Sequence, residues 1–219
     1  MLTYKEVRNN EAIRTYIVRA DESLSALGYT EHSFAHVVRV AQSAGDILQT
    51  LGYDARTVEL ARIAGYMHDI GNLVNRSEHS QSGALIAWNL LQNMGCDPGE
   101  LATIVTAIGN HDEGTGVPVN PVAAALILAD KADMRRSRVR NADMLSFDIH
   151  DRVNYSVRKT NLSINPEKTQ VELRLTIDTK YGSIMDYFEI FTGRMLFCRK
   201  AAERLGLKFA LIINEQQLI

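Results

Sequence analysis

A mostly α-helical fold with a small α+β appendage at its C-terminal end is the class this sequence predicts, and three observations carry it. Across the first two thirds, apolar residues recur at the three- and four-residue spacing of amphipathic helices. Start signals punctuate that pattern: Asp97-Pro98 and Asn120-Pro121 each set a capping side chain before a proline suited to the first helical position. After about Phe147 the pattern changes to the apolar/polar alternation of half-buried strands.

The elements follow in order. Thr3 caps an N-terminal segment that runs, with a break, to about Leu27. Val37, Val40, Ala41, Ala44, Ile47 and Leu48 share one face of the next helix, which Gly52 closes. Asp54 caps a helix whose Val58, Leu60, Ala61, Ile63 and Ala64 lead into His68 and Asp69. A loop through Gly71 and Arg76 separates it from a helix starting near Ser80, which carries Ala84, Leu85, Ala87, Trp88, Leu91 and Met94 and stops at Gly95. Asp97 and Glu100 predict a capping box and a helix to about His111, and Asn120 opens the helix that contains Asp130. Residues 162–164 and 171–177 read as strands joined by a hairpin loop at Asn165-Pro166-Glu167-Lys168. Ser183 with Asp186 begins a helix closed by Gly206, and residues 209–213 form a last strand.

The chain therefore divides into a helical domain, residues 1–146, and a ββαβ-like module, residues 147–219. The aromatic side chains of the module's helix, Tyr187, Phe188, Phe191 and Phe197, are expected to pack on the small sheet. The alternative is a homodimer interface or a ligand pocket.

Composition narrows the function classes. A chain of 219 residues with 46% hydrophobic and 23% charged residues can bury a real core. A formal charge of -2 supplies no global field for nucleic acid or anionic membrane, and nucleic acid is not the expected partner. The longest strongly apolar run, residues 123–129, is too short to span a bilayer. The first ten residues are charged and hold no apolar signal core, and Cys96 and Cys198 show no paired-motif spacing. A reducing cytoplasm is the expected location.

The chemistry concentrates in one ordered set: His36, the doublet His68-Asp69, His79, His111 and Asp130. Imidazole and carboxylate together suit a hard-to-borderline divalent ion, and six such groups are enough for two. Two ions a few Å apart are a recurring device for turning water against a phosphoester. A lone histidine on a helix is most often a surface or core residue, so the weight lies on the ordered combination. His32, one helical turn before His36, is expected at the cavity mouth or in solvent, and His150 at a helix start. Neither belongs to the expected ligand set.

The surroundings of these residues carry a resemblance. His36 followed by Val40-Ala41, Ala64-Gly65 leading into His68-Asp69-Ile70-Gly71, and Leu128-Ala129-Asp130-Lys131 resemble the HD superfamily of metal-dependent phosphohydrolases, over about residues 30–140. The resemblance implies an HD-domain helical bundle. His79 and His111 resemble the extra ligands of its two-metal branches, which include bacterial diadenosine-tetraphosphate hydrolases and, more distantly, HD-GYP phosphodiesterases. Asn72 stands where HD-GYP proteins usually have lysine, and His111-Asp112 where they have two histidines. By analogy Asp69 bridges two ions, His68 and Asp69 are the catalytic pair, and a hydroxide bridging the ions is the nucleophile. Iron or manganese is the favoured metal; zinc, nickel, cobalt and magnesium also suit such donors.

Hydrolysis of a phosphoester or phosphoanhydride in a small, nucleotide-like substrate is the implied activity. Arg76, Lys131 and Arg135 are the expected substrate contacts, because phosphate needs fixed positive charge. Asp112, Glu113 and Asp133 are the candidates to orient ligand imidazoles. The competing class is a non-catalytic, metal-containing sensor or interaction module. All six ligand positions are filled, which favours the enzyme.

Overall fold

The computed structural model describes residues 1–140 and 149–219. The expected boundary at residues 146/147 and the side chain of His150 lie outside the described residues. Thr3 opens the chain with a capping box, accepting from the Glu6 N–H while the Glu6 carboxylate accepts from the Thr3 N–H. Helix α1 (Tyr4–Asn9) breaks at Asn10, whose side chain caps α2 (Glu11–Ala26) through the Ile13 N–H. Helix α3 (Phe34–Leu51) starts on Ser33 and ends on Gly52 at φ 90°, a left-handed position that glycine takes without strain. Helix α4 (Ala55–Met67) is capped by Asp54. The expected loop after Asp69 begins as a 3-10 turn, Ile70–Leu73, before α5 (His79–Asn93), α6 (Pro98–Gly109) and α7 (Pro121–Lys131).

One local expectation gives way to a tertiary contact. Glu100 does not complete a capping box on Asp97; both its oxygens take the Arg56 guanidinium at 2.5 Å, a bidentate charged pair that outweighs one backbone N–H. Helix α6 ends at Gly109, close to the expected His111, and Asn110 turns the chain there. Its amide donates to Thr106 O at 2.9 Å and its Oδ1 accepts from Val117 N at 3.2 Å, which tethers the following loop.

Helix α7 is apolar all round, so it is buried all round, with residues 122–129 inside the core. Helices α3, α4, α6 and α9 pack against it, α5 lies along α6, and α2 covers the 3-10 turn. Helices α3 and α4 approach closely at Gly65, where an added Cβ would stand 2.7 Å from Ala41 Cα. That approach sets the His36 end of α3 beside the His68 end of α4.

The C-terminal part comprises α8 (Ile149–Ser156), β1 (Val157–Ile164), β2 (Gln170–Ile177), α9 (Ile184–Arg204), β3 (Lys208–Ile213) and β4 (Gln216–Gln217). The expected ββαβ order is present, with β4 added. The sheet is mixed, in the order β1-β2-β3-β4: β1/β2 and β3/β4 are antiparallel, while β2/β3 is parallel with α9 as the crossover. Val171, Leu173, Leu175 and Ile177 fill the buried face of β2, as their alternation requires. Tyr187, Phe191 and Phe197 are buried and Phe188 is packed against the core, which runs without a break from the helical part into the sheet. Helix α9 touches α7 as well as β2 and β3, so it lies between sheet and bundle. No helix of the described residues is long and apolar enough to cross a membrane.

Candidate metal centre

Six side chains from five segments converge: His36 from the first turn of α3, His68 and Asp69 just past α4, His79 at the start of α5, His111 after α6, and Asp130 near the end of α7. All four histidines are buried, and each points its Nε2 inward. The His36 and His68 Nε2 atoms lie 3.3 Å apart, and those of His79 and His111 lie 3.2 Å apart.

Each outward Nδ1 has an acceptor. Nδ1 of His68 lies 2.8 Å from Gly65 O, that of His79 lies 3.1 Å from Arg76 O, and that of His111 lies 2.6 Å from Ile108 O. His36 Nδ1 meets Asp133 Oδ2 at 2.8 Å. A carbonyl can only accept, so these bonds keep a proton on Nδ1, and in the neutral ring the Nε2 lone pair faces the centre. That is the tautomer a cation needs, and the acceptors are the supports that orient metal-binding imidazoles. Of the three expected orienting carboxylates, Asp133 takes this place. Glu113 binds Lys131 instead at 2.8 Å.

Asp69 stands between the two histidine pairs. Its Oδ2 is 3.5 Å from His36 Nε2 and 3.2 Å from His68 Nε2, while its Oδ1 is 3.5 Å from His79 Nε2 and 3.9 Å from His111 Nε2. The Asn72 amide donates to Oδ1 at 3.0 Å and to the Asp69 carbonyl at 2.9 Å, fixing the carboxylate's rotation. Asp130 Oδ1 joins the first pair, 3.4 Å from His36 Nε2 and 3.6 Å from His68 Nε2. Ligand atoms of His36, His68 and Asp130 all lie within 4.8 Å of one another, as do those of His68, Asp69 and His111. Nitrogen and oxygen donors this close, with lone pairs facing inward, fit divalent metal.

The electrostatics divide the centre. Burial opposes ionisation of Asp69 and Asp130, yet the surrounding imidazoles, with Lys131 beside Asp130, hold both carboxyls well below the usual range. Burial likewise opposes a charge on His68, but Asp69 and Asp130 lift its pKa to about 10. In His111 burial prevails, aided by the nearby His68 and Lys131, and the pKa is well below that of free imidazole. Burial lowers His79 in the same direction. The His36/His68 side therefore attracts positive charge, and the His79/His111 side presents neutral imidazole ligands.

A cavity of about 240 Å³ opens onto the centre. Arg76 and Lys131 line it. Arg76 lies 4.0 Å from Asp69 Oδ1, and Lys131 Nζ sits 2.6 Å from Asp130 Oδ2. Arg135 is turned elsewhere: it grips Asp133 at 2.7 and 3.0 Å and Glu31 at 3.3 Å, and so supports the carboxylate behind His36.

Of the other lining residues, His32 stands at the cavity, the first of the two places its spacing from His36 allowed. It is half-buried, with Nε2 4.0 Å from Asp69 Oδ2 and Nδ1 2.6 Å from Thr30 O. Tyr29 and Arg138 come from the helical part, Asp151 and Asn154 from α8, and Phe191 and Arg194 from α9. Phe191 thus both packs in the core and walls the cavity. The α8 and α9 residues are distant in sequence and arrive through packing of α9 on α7 and of α8 on α9 and the turn at residues 136–138.

Residues 33–135 match the family profile described as HD domain. An uncharacterized protein of Methanocaldococcus jannaschii is 25% identical over 200 residues, covering 80% of this chain and 76% of that protein. Ribonuclease Y of Deinococcus radiodurans is 33% identical over 105 residues, 48% of this chain and 16% of that protein, so the chain spans a small part of that relative's length. A crystal structure described as a predicted HD superfamily hydrolase from an uncultured Thermotogales bacterium aligns over 57% of this chain and 67% of that one, at 25% identity and a TM-score of 0.45. The matched span, just under half of the chain, contains all six converging side chains together with Asp133, and over that span the chain is similar to HD domains.

Proposed function

We propose that the protein is a metal-dependent phosphohydrolase acting on a phosphoester or phosphoanhydride bond of a small, nucleotide-like substrate. The observation that carries this reading is the Asp69 carboxylate, with one oxygen toward His36 and His68 and the other toward His79 and His111. His36, His68, Asp69 and Asp130 would hold one divalent ion, and Asp69, His79 and His111 a second. Ions of this kind, iron or manganese first, act as Lewis acids toward phosphoryl oxygens and lower the pKa of water.

The chain's own residues supply the rest. Asn72 fixes the Asp69 carboxylate, and Asp133 and the backbone carbonyls fix the imidazoles. Arg76 and Lys131 put positive charge where a phosphoryl group would face the histidines. Tyr29 and Phe191 give the cavity aromatic wall suited to a base or sugar.

The test is a hydrolysis screen of metal-loaded protein against nucleoside phosphates, dinucleoside polyphosphates, cyclic dinucleotides and a short RNA. Turnover of a small nucleotide that is lost in His68→Ala and Asp69→Ala supports the proposal. Identity with Ribonuclease Y favours RNA cleavage as a second reading. A cavity of about 240 Å³ and a formal charge of -2 weigh toward the small substrate. Preferential cleavage of RNA would reverse that order.

A further inference from the structure

Arg76, Lys131, Arg138 and Arg194 are the guanidinium and ammonium groups that line the cavity among the described residues. Two of them, Lys131 and Arg138, have partners within 3 Å in the protein. Lys131 lies between Asp130 and Glu113, at 2.6 and 2.8 Å. Arg138 donates to the carbonyls of Asp133 and Glu31 at 2.8 and 2.9 Å. Arg76 is held more loosely, donating to Asn72 Oδ1 at 3.4 Å and standing 4.0 Å from Asp69 Oδ1.

Arg194 differs. One terminal nitrogen donates to Glu113 Oε1 at 3.4 Å, but its Nε is buried with no hydrogen-bond partner. The Phe191 ring lies 4.5 Å from the guanidinium carbon and braces the group on one face. A buried donor left without an acceptor is costly and rare enough to need a reason. Here the reason is supplied by position, because the same side chain lines the cavity.

The position also defines the ligand. Charges alternate outward from the centre: Asp130, Lys131, Glu113, then Arg194. A phosphoryl group facing the histidines meets Lys131 and Arg76 first, and Arg194 stands beyond Glu113. We propose that Arg194 is a specificity-determining residue that takes a second acidic group of the substrate. The substrate class is then one with linked phosphates, such as a nucleoside diphosphate or triphosphate, rather than a monophosphate. The C-terminal module thereby contributes selectivity to a centre built wholly by the helical part. This inference rests on the phosphohydrolase reading above.

The experiment compares binding of methylphosphonate, with one acidic group, and methylenediphosphonate, with two, by calorimetry on the full chain with divalent metal in fixed excess. Neither probe is hydrolysed, so the readout is affinity and not turnover. In the wild type the diphosphonate binds more tightly, and in Arg194→Gln the ratio of the two affinities falls about ten- to a hundredfold, as expected for a lost charge-assisted contact. Arg194→Lys keeps the charge without the planar fork and restores part of the ratio; it carries the test alone if the glutamine variant loses its circular dichroism. A ratio unchanged by either substitution, with both probes bound, overturns the role of Arg194 and leaves the phosphohydrolase reading standing. Failure of the wild type to bind either probe overturns both.

Discussion

Asp133 Oδ2 lies 2.8 Å from Nδ1 of His36, and this bond alone turns the His36 lone pair toward His68 and Asp69. Both partners are buried, so the contact is not shared with water. Asp133→Ala should weaken metal binding on the His36 side about ten- to a hundredfold. A chelator-competition titration measures this, and an unchanged affinity would remove Asp133 from the centre.

Arg135 tests whether a cation near the site acts on substrate or on scaffold. It grips Asp133 and Glu31 and is absent from the cavity lining. Arg135→Ala should therefore lower metal affinity through Asp133 while leaving KM of the metal-saturated enzyme within about twofold. A rise in KM with unaltered metal affinity would return Arg135 to the substrate contacts expected from the sequence.

Proton and metal compete at His68. Its pKa stands near 10 in the fold against 6.5 in the free side chain, because Asp69 and Asp130 overcome its burial. In chelated protein the charged ring thus contributes stability that is complete below about pH 6.5 and is lost as pH rises through about 10. Metal must displace that proton, so affinity should rise with pH across the neutral range by up to about tenfold per unit. Titrations of metal into chelated protein, in buffers of different ionisation enthalpy, count the protons released. Release of none near pH 7 would contradict the assignment.

Gly65 tests how packing builds the centre. A Cβ there would press on the Ala41 backbone at 2.7 Å, and backbone cannot move aside cheaply. Gly65→Ala should cost about 1–3 kcal/mol, visible as a Tm lowered by several degrees, and should also weaken metal binding by parting His36 from His68. An unchanged Tm would show that α3 and α4 have more freedom than their contact implies.

The six converging side chains were legible in the sequence as an ordered set of imidazoles and carboxylates whose surroundings resemble the HD superfamily, and caps place some of their helices. Asp54 places the start of the helix leading to His68, and Asn120 that of the helix bearing Asp130. Short-range signals failed where a distant partner competed. Glu100 abandons its capping box for Arg56, 44 residues away in sequence. Arg135 looks like a phosphate contact in a run of arginines, yet Asp133 and Glu31 claim it. The far wall of the cavity, with Asn154, Phe191 and Arg194, has no local signature. Those residues reach the site because α9 packs on α7 and α8 on α9, and tertiary packing of that kind leaves no periodicity to read.

Metal content per chain, in protein purified without chelator or metal-affinity tag, tests the central claim most directly when wild type and His79→Ala are compared. The split of Asp69 between two histidine pairs predicts two divalent ions in the wild type and one in the variant. A wild type holding a single ion that His79→Ala retains in full would contradict it.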